Sequence, residues 1–269
     1  MKTMFVTGAT KNTGWAIARR FASQGWNVVI SSRNEASAAE AALELRTEFS
    51  DVETLGVGMD PASVADIRAA FGRIRATFGR LDAFVNCAAH LGVGMSILST
   101  SPDDYDALMA ANVRGPFFCV QEAVKLMTDG GSVTFISSCH ALKSVPGRIC
   151  YTVSKAAVGG MVRSLAVELG PLGIRANAIL AGAIRTDRWE GLSDEQVQER
   201  RDRYPAGKES SPDEIAAAVA FLASDEARTV TGVEMPVDSG IGVCLLKYNK
   251  NWIQNDPYNV KYWEKGEKR

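Results

Sequence analysis

The sequence has no apolar run approaching the roughly 20 residues a membrane-spanning helix needs, so no such helix is expected. It has almost no net charge: 30 basic residues stand against 31 acidic ones, for a formal charge of −1. A nucleic-acid or anionic-membrane partner would need a basic field, and the balance argues against either. Cysteine is sparse and unpatterned. Cys87, Cys119, Cys139, Cys150 and Cys244 are scattered, odd in number and in no metal-ligand spacing. They read as reduced thiols of a cytoplasmic protein, with no metal implied. Internal repeats and low-complexity linkers are also missing. The chain opens straight into Met4-Phe5-Val6-Thr7-Gly8, so no leader peptide is expected. What remains is ordinary: 46% apolar and 23% charged residues give enough apolar surface for a full core, and 269 residues fit one large α/β domain.

Short β-branched apolar runs alternate with longer Ala-rich stretches of helical period. The runs predict strands over Thr3–Thr7, Asn27–Ser31, Thr54–Gly58, Leu81–Asn86, Ser132–Ser137, Ile174–Ile179 and Val233–Val237. Helices are predicted near 13–24, 35–49, 62–78, 103–128, 152–169 and 212–223. Ser101-Pro102-Asp103-Asp104 and Ser211-Pro212-Asp213-Glu214 carry capping serine, proline and acid in helix-start order, and Ser193-Asp194-Glu195-Gln196 opens a further charged helix. Strand–helix alternation implies an α/β, doubly wound three-layer fold around a seven-stranded parallel sheet. In such sheets ligands bind in the crevice at the carboxyl ends of the strands.

The first strand runs into Gly8-Ala9-Thr10-Lys11-Asn12-Thr13-Gly14 and then a helix. Gly8 permits the turn, Gly14 permits close helix packing, and the helix N-terminus suits a pyrophosphate. Asn12 stands at one glycine position of this pattern and tolerates positive φ. The pattern alone is also compatible with a plain strand-to-helix turn. The second strand ends Ser31-Ser32-Arg33 with no acid before Glu35. An acid there would hold a ribose 2′-hydroxyl, whereas a cation accommodates a 2′-phosphate. Arg33 and Lys11 therefore point to NADP(H) over NAD(H), the alternative being two solvated surface cations. Asp60 ends the third strand, placed either to contact an adenine or to cap the next helix.

Tyr151 and Lys155 are four residues apart at a helix start, hence on one face. A phenol normally titrates near 10, and a neighbouring ammonium favours the phenolate. Ser138 ends the preceding strand, suitably placed to bond a substrate oxygen. Asn112, in the long helix before that strand, is placed to hold a water linking Lys155 to solvent.

These residues, with Thr7-Gly8…Gly14, Asn86-Cys87-Ala88-Ala89, Asn112-Val113-Arg114-Gly115 and Asp238-Ser239-Gly240, make the chain resemble the short-chain dehydrogenase/reductase family over roughly residues 1–240. The resemblance implies a catalytic tetrad of Asn112, Ser138, Tyr151 and Lys155, exchanging a secondary alcohol and a ketone with hydride transfer to or from NADP(H). It implies that Asn86 to Ala88 pass the adenosine ribose. Ala181-Gly182-Ala183-Ile184-Arg185-Thr186 is similar to the family's Pro-Gly segment, with Ile184 and Thr186 orienting the nicotinamide. The sequence departs from the family pattern at Asn12, Cys87, Ala89 and Ala181, leaving the proton-transfer set complete. A lid is implied around 185–208, with Trp189 and Tyr204 placed to cover an apolar substrate. His140 is a further candidate for the substrate pocket. Residues 241–269 form an extension with aromatics suited to a neighbouring subunit, and the resemblance implies a homotetramer, or a dimer. Two other readings stay open: reduction of 3-oxoacyl thioesters on an acidic carrier, and a non-catalytic nucleotide-binding protein of the same fold. The family's enoyl reductases space their tyrosine and lysine more widely than four residues.

Overall fold

The computed structural model describes residues 1–244. The tail aromatics Tyr248, Trp252, Tyr258, Tyr262 and Trp263 lie outside the described residues. Strand β1 (Thr3–Val6) is followed by α1 (Asn12–Ala22), β2 (Asn27–Ser32), α2 (Glu35–Glu48), β3 (Thr54–Gly58), α3 (Val64–Phe78) and β4 (Ala83–Asn86). Helix α4 (Pro102–Met109) passes through a π-helical turn (Ala110–Arg114) into α5 (Gly115–Val124). Then come β5 (Gly131–Ser138), α6 (Ile149–Leu169), β6 (Ile174–Ala181), α7 (Asp194–Arg201), α8 (Pro212–Ala223) and β7 (Glu234–Val237).

The strands pair in parallel as one sheet in the order β3-β2-β1-β4-β5-β6-β7. Alternation along each strand feeds two cores. Met4, Val6, Val28 and Ile30 face α1, α2 and α8, while Phe5 and Val29 face α3, α5 and α6. Burial on both faces explains why these strands read as unbroken apolar runs. The order reverses between β1 and β4, which opens the crevice at their carboxyl ends.

Three helix boundaries differ from the sequence reading, and each moves a functional residue. The single helix expected over 103–128 is interrupted, because Pro116 has no N–H to give the carbonyl of residue 112. The wide turn absorbs that mismatch and carries Asn112; such turns are frequent at functional sites. Helix α3 is capped by Ser63, whose hydroxyl accepts from the Asp66 amide, not by Asp60. Asp60 instead accepts from the Ala62 amide in the turn before it. Helix α6 starts at Ile149, three residues early, with Arg148 at its cap. The three capped starts behave as the sequence reads, with reciprocal capping boxes at Ser193/Gln196 and Ser211/Glu214 and a Ser101 cap on α4.

Where the π-helical turn meets α5, a Cβ at Gly115 would collide with the Pro61 carbonyl oxygen. Gly72, in α3, faces open space. Gly115→Ala is expected to cost about 1–3 kcal/mol and Gly72→Ala to add about 0.4–1 kcal/mol. Thermal unfolding of the two variants should therefore shift the midpoint in opposite directions.

Candidate active site

The loop after β1 turns on Gly8 at φ 64° and Asn12 at φ 53°. Asparagine thus takes the left-handed conformation usually left to glycine. A Cβ on Gly14 would strike the Gly8 carbonyl oxygen, so the loop folds tightly back on the first turn of α1. The Thr7 hydroxyl accepts from both the Cys87 and Ala88 amides at 3.0 Å. It fixes this loop to the end of β4, where Asn86 is buried. No side chain caps α1, so the dipole and amides around Asn12, Thr13 and Gly14 are available to an anion. Thr10 lies in the same loop.

At the end of β2, the Ser32 hydroxyl accepts from the Asn34 amide, and Arg33 is exposed with no carboxylate partner among the described residues. Glu35 opens α2 and pairs with Arg73 at 2.6 Å. Lys11, the other expected cation, is engaged elsewhere. Its ammonium meets Asp187 at 2.7 Å, and the Asn12 amide donates to the same carboxylate at 3.2 Å. Asp60 is exposed at the end of β3, beside this edge.

Ser138 ends β5, and Tyr151 and Lys155 lie in the first two turns of α6. Lys155 is 3% exposed, and its ammonium donates to the Ile136 carbonyl at 2.8 Å, 5.5 Å from the centre of the Tyr151 ring. Burial brings its pKa down to about 8. Burial acts oppositely on Tyr151, raising the phenol, while hydrogen bonding to Ser138 and the positive charges of Arg148 and Arg188 pull it back. The Arg148 guanidinium lies 6.0 Å from the ring centre and donates to the Leu91 carbonyl at 2.7 Å. Arg148 and Arg188 are thus cations that draw the phenol toward ionisation.

Asn112 uses its side chain to hold chain segments together. Its amide oxygen accepts from the His90 amide at 2.7 Å, and its nitrogen donates to the His90 carbonyl and the Ser154 hydroxyl. The structure does not bring that side chain onto Lys155. His140 follows Ser138 and packs edge-on to Tyr151 at 5.6 Å. Burial and Arg148 lower the pKa of His140, which favours the neutral imidazole. Its Nδ1 and the Ser137 hydroxyl are buried without a partner. Cys87 is held as a thiol, its pKa pushed up to about 11 by burial, which argues against a nucleophile there.

Ser138, Tyr151, Lys155, His140, Ile184 and Trp189 all line one cavity of about 680 Å³. Thr186 begins the short turn carrying Trp189. Gly8, Thr10, Ser32, Arg33, Asp60, Asn86 and Ala88 lie outside this lining, along the crevice edge toward β2 and β3. An uncapped helix start, a tight glycine loop and an orphaned buried hydroxyl together fit an extended dinucleotide. It would run from Arg33 past the α1 amides to Ser137 and Ile184.

Two acids hold this region: Asp238, part of a motif read in the sequence but given no role there, and Glu209, which the sequence did not single out. Asp238 accepts from the Gly240 and Gly242 amides, and a Cβ on Gly182 would press on its backbone at 2.9 Å. Glu209, 5% exposed, takes a two-pronged bond from Arg201 at 2.8 and 2.9 Å and faces Arg185 at 3.6 Å. This clasp ties the end of α7 to the segment before α8 and to Arg185.

A family model described as enoyl-(acyl carrier protein) reductase matches residues 8–242. The L-rhamnose 1-dehydrogenase (NAD(P)(+)) of Azotobacter vinelandii is 36% identical over 255 residues, covering 91% of this chain and 98% of that protein. The 3-oxoacyl-[acyl-carrier-protein] reductase FabG of Staphylococcus aureus is 31% identical, covering 89% and 98%. Among solved structures, a gluconate 5-dehydrogenase from Burkholderia cenocepacia in complex with NADP and tartrate matches with a TM-score of 0.84. That match has 29% identity and covers 91% of this chain and 96% of that one. The chain belongs to the short-chain dehydrogenase/reductase family. Its seven-stranded parallel sheet and flanking helices are the doubly wound architecture expected from the sequence.

Arg201, helped by the Glu209 backbone amide and Arg185, lowers the pKa of Glu209 to about 2 from the ordinary 4.5. A depressed carboxylate pKa contributes stability above 4.5 that is lost as pH falls through about 2. Glu209→Gln should therefore be less stable than the wild type at pH 7 in urea unfolding. The gap between the two should close on acidification, and a gap independent of pH would remove the carboxylate from the clasp.

Proposed function

We propose that this protein interconverts a secondary alcohol and a ketone with NADP(H), and that Tyr151 moves the proton on the substrate oxygen. The observation carrying the reading is the convergence of Ser138, Tyr151 and Lys155 on one cavity at the carboxyl edge of the sheet, beside the glycine loop. A bound dinucleotide supplies or accepts the hydride at the reacting carbon. Every other requirement falls to the chain.

In the oxidising direction Tyr151 takes the hydroxyl proton as the carbon loses its hydride; in the reducing direction it returns that proton to the carbonyl oxygen. Ser138 bonds the same oxygen and, through its contact with Tyr151, keeps phenol and substrate in line. Lys155 stays positive below about 8, held by the Ile136 carbonyl, and balances charge on the phenolate side. Asn112 acts as a positioning residue, locking the His90 segment to α6 through Ser154. Pro116 denies its backbone carbonyl an i+4 amide partner.

Preference for NADP(H) is supported by the unpaired Arg33 at the end of β2 and by Glu35, the nearest acid, being tied to Arg73. Lys11 can join Arg33 on a 2′-phosphate only by leaving Asp187. The relatives agree in part: one carries NAD(P)(+) in its name and another was solved with NADP. Carbohydrate dehydrogenases and a 3-oxoacyl reductase occur at similar identity, so the relatives fix the reaction class more narrowly than the substrate.

Tyr151→Phe is expected to lower kcat by about 10²–10⁴-fold, the usual scale of general acid–base catalysis. Its affinity for NADPH, read by fluorescence titration, should stay at the wild-type level. A variant that turns over normally would remove Tyr151 from the proton path. One that no longer binds NADPH would show instead that the phenol holds the dinucleotide.

A further inference from the structure

The cavity around Tyr151 is lined by four arginines, Arg148, Arg188, Arg200 and Arg203, and, among the described residues, by no aspartate or glutamate. In a chain with a net charge of −1 this is a local excess of one sign, and such clefts concentrate counter-ions. Arg203 is paired with Glu199 at 2.7 Å, and Arg188 stands next to Thr186 on the dinucleotide side. Arg148 and Arg200 differ. Neither pairs with a carboxylate among the described residues. Both are nonetheless positioned, Arg148 by the Leu91 carbonyl and Arg200 against the Trp189 ring at 5.1 Å. Of the residues assigned above to the dinucleotide phosphates, only Thr13 lines this cavity. The positive charge beside the phenol is thus surplus to what those phosphates require.

We propose that the alcohol or ketone substrate carries a negatively charged group, a carboxylate or a phosphate, held by Arg148 at the base of the cleft and Arg200 on the lid. This rests on the oxidoreductase reading above and names its substrate class. Arginine suits the task because its planar fork bonds either anion in two places. The lid therefore differs from the apolar cover that Trp189 and Tyr204 suggest in the sequence: Trp189 serves as the platform on which Arg200 rests.

Three small probes share a three-carbon skeleton and a secondary hydroxyl: glycerol is neutral, glycerate is a carboxylate and glycerol 3-phosphate a phosphate. Calorimetric titration of each into protein saturated with NADPH reads binding without turnover. The proposal expects at least one charged probe to bind roughly 10- to 100-fold more tightly than glycerol. Arg148→Gln should remove that advantage while NADPH affinity is unchanged. Whichever charged probe binds identifies the anion. Equal binding of all three, or an advantage that survives both Arg148→Gln and Arg200→Gln, would overturn the proposal. So would a parallel loss of NADPH affinity, which would assign the arginine to the dinucleotide. Failure of any alcohol to reduce the dinucleotide would instead count against the oxidoreductase reading, leaving the binding result to stand by itself.

Discussion

Burial opposes ionisation at both ends of the Tyr151–Lys155 pair, and the rest of the site is arranged around that conflict. Withdrawn from water, the phenol is pushed up and the ammonium down to about 8. The phenol can move a proton only where positive charge and hydrogen bonding restore what burial takes away. Ser138 and Arg148 do this within the chain, and a bound oxidised nicotinamide would add to them. The Ile136 carbonyl gives the buried Lys155 the one partner it has among the described residues beyond the Tyr151 face. Without it the charge would have little to hold it so far from solvent.

The sheet makes this arrangement possible by ending all its strands on one edge. Thr7 joins the end of β1 to the end of β4 across the point where strand order reverses, so the glycine loop and the Asn86 segment are fixed to each other. Two long-range clasps then hold the opposite wall. Asp187 reaches back to Lys11 and Asn12, and Glu209 gathers Arg185 and Arg201. They differ in kind. The Asp187 pair is solvent-facing and worth little on its own, so it can exchange for a phosphate. Glu209 is enclosed, and breaking its contacts would strand a buried charge.

Much of this was legible in the sequence, for a reason peculiar to parallel sheets. Strands covered on both faces become short uninterrupted apolar runs, and helices announce themselves by caps such as Ser211-Pro212. The proton-transfer residues were legible because a helix turn fixes their spacing. Boundaries were harder. Pro116 inside the expected 103–128 helix was the visible sign of the turn that carries Asn112. Starting α6 at 152 left out the turn from Ile149 and the cap residue Arg148, whose guanidinium reaches the Tyr151 ring. The partners of Lys11 and Glu209 were not legible at all. Asp187 lies 176 positions from Lys11, and only the closed fold brings them together.

The central claim is that one buried phenol becomes acidic enough to transfer a proton when the cleft is filled. Ultraviolet difference titration of tyrosine ionisation, with and without oxidised dinucleotide, tests it directly. The account predicts one tyrosine whose ionisation moves to lower pH on binding, and whose signal is absent from Tyr151→Phe. Superimposable titrations of wild type and variant, in the presence of saturating dinucleotide, would contradict it.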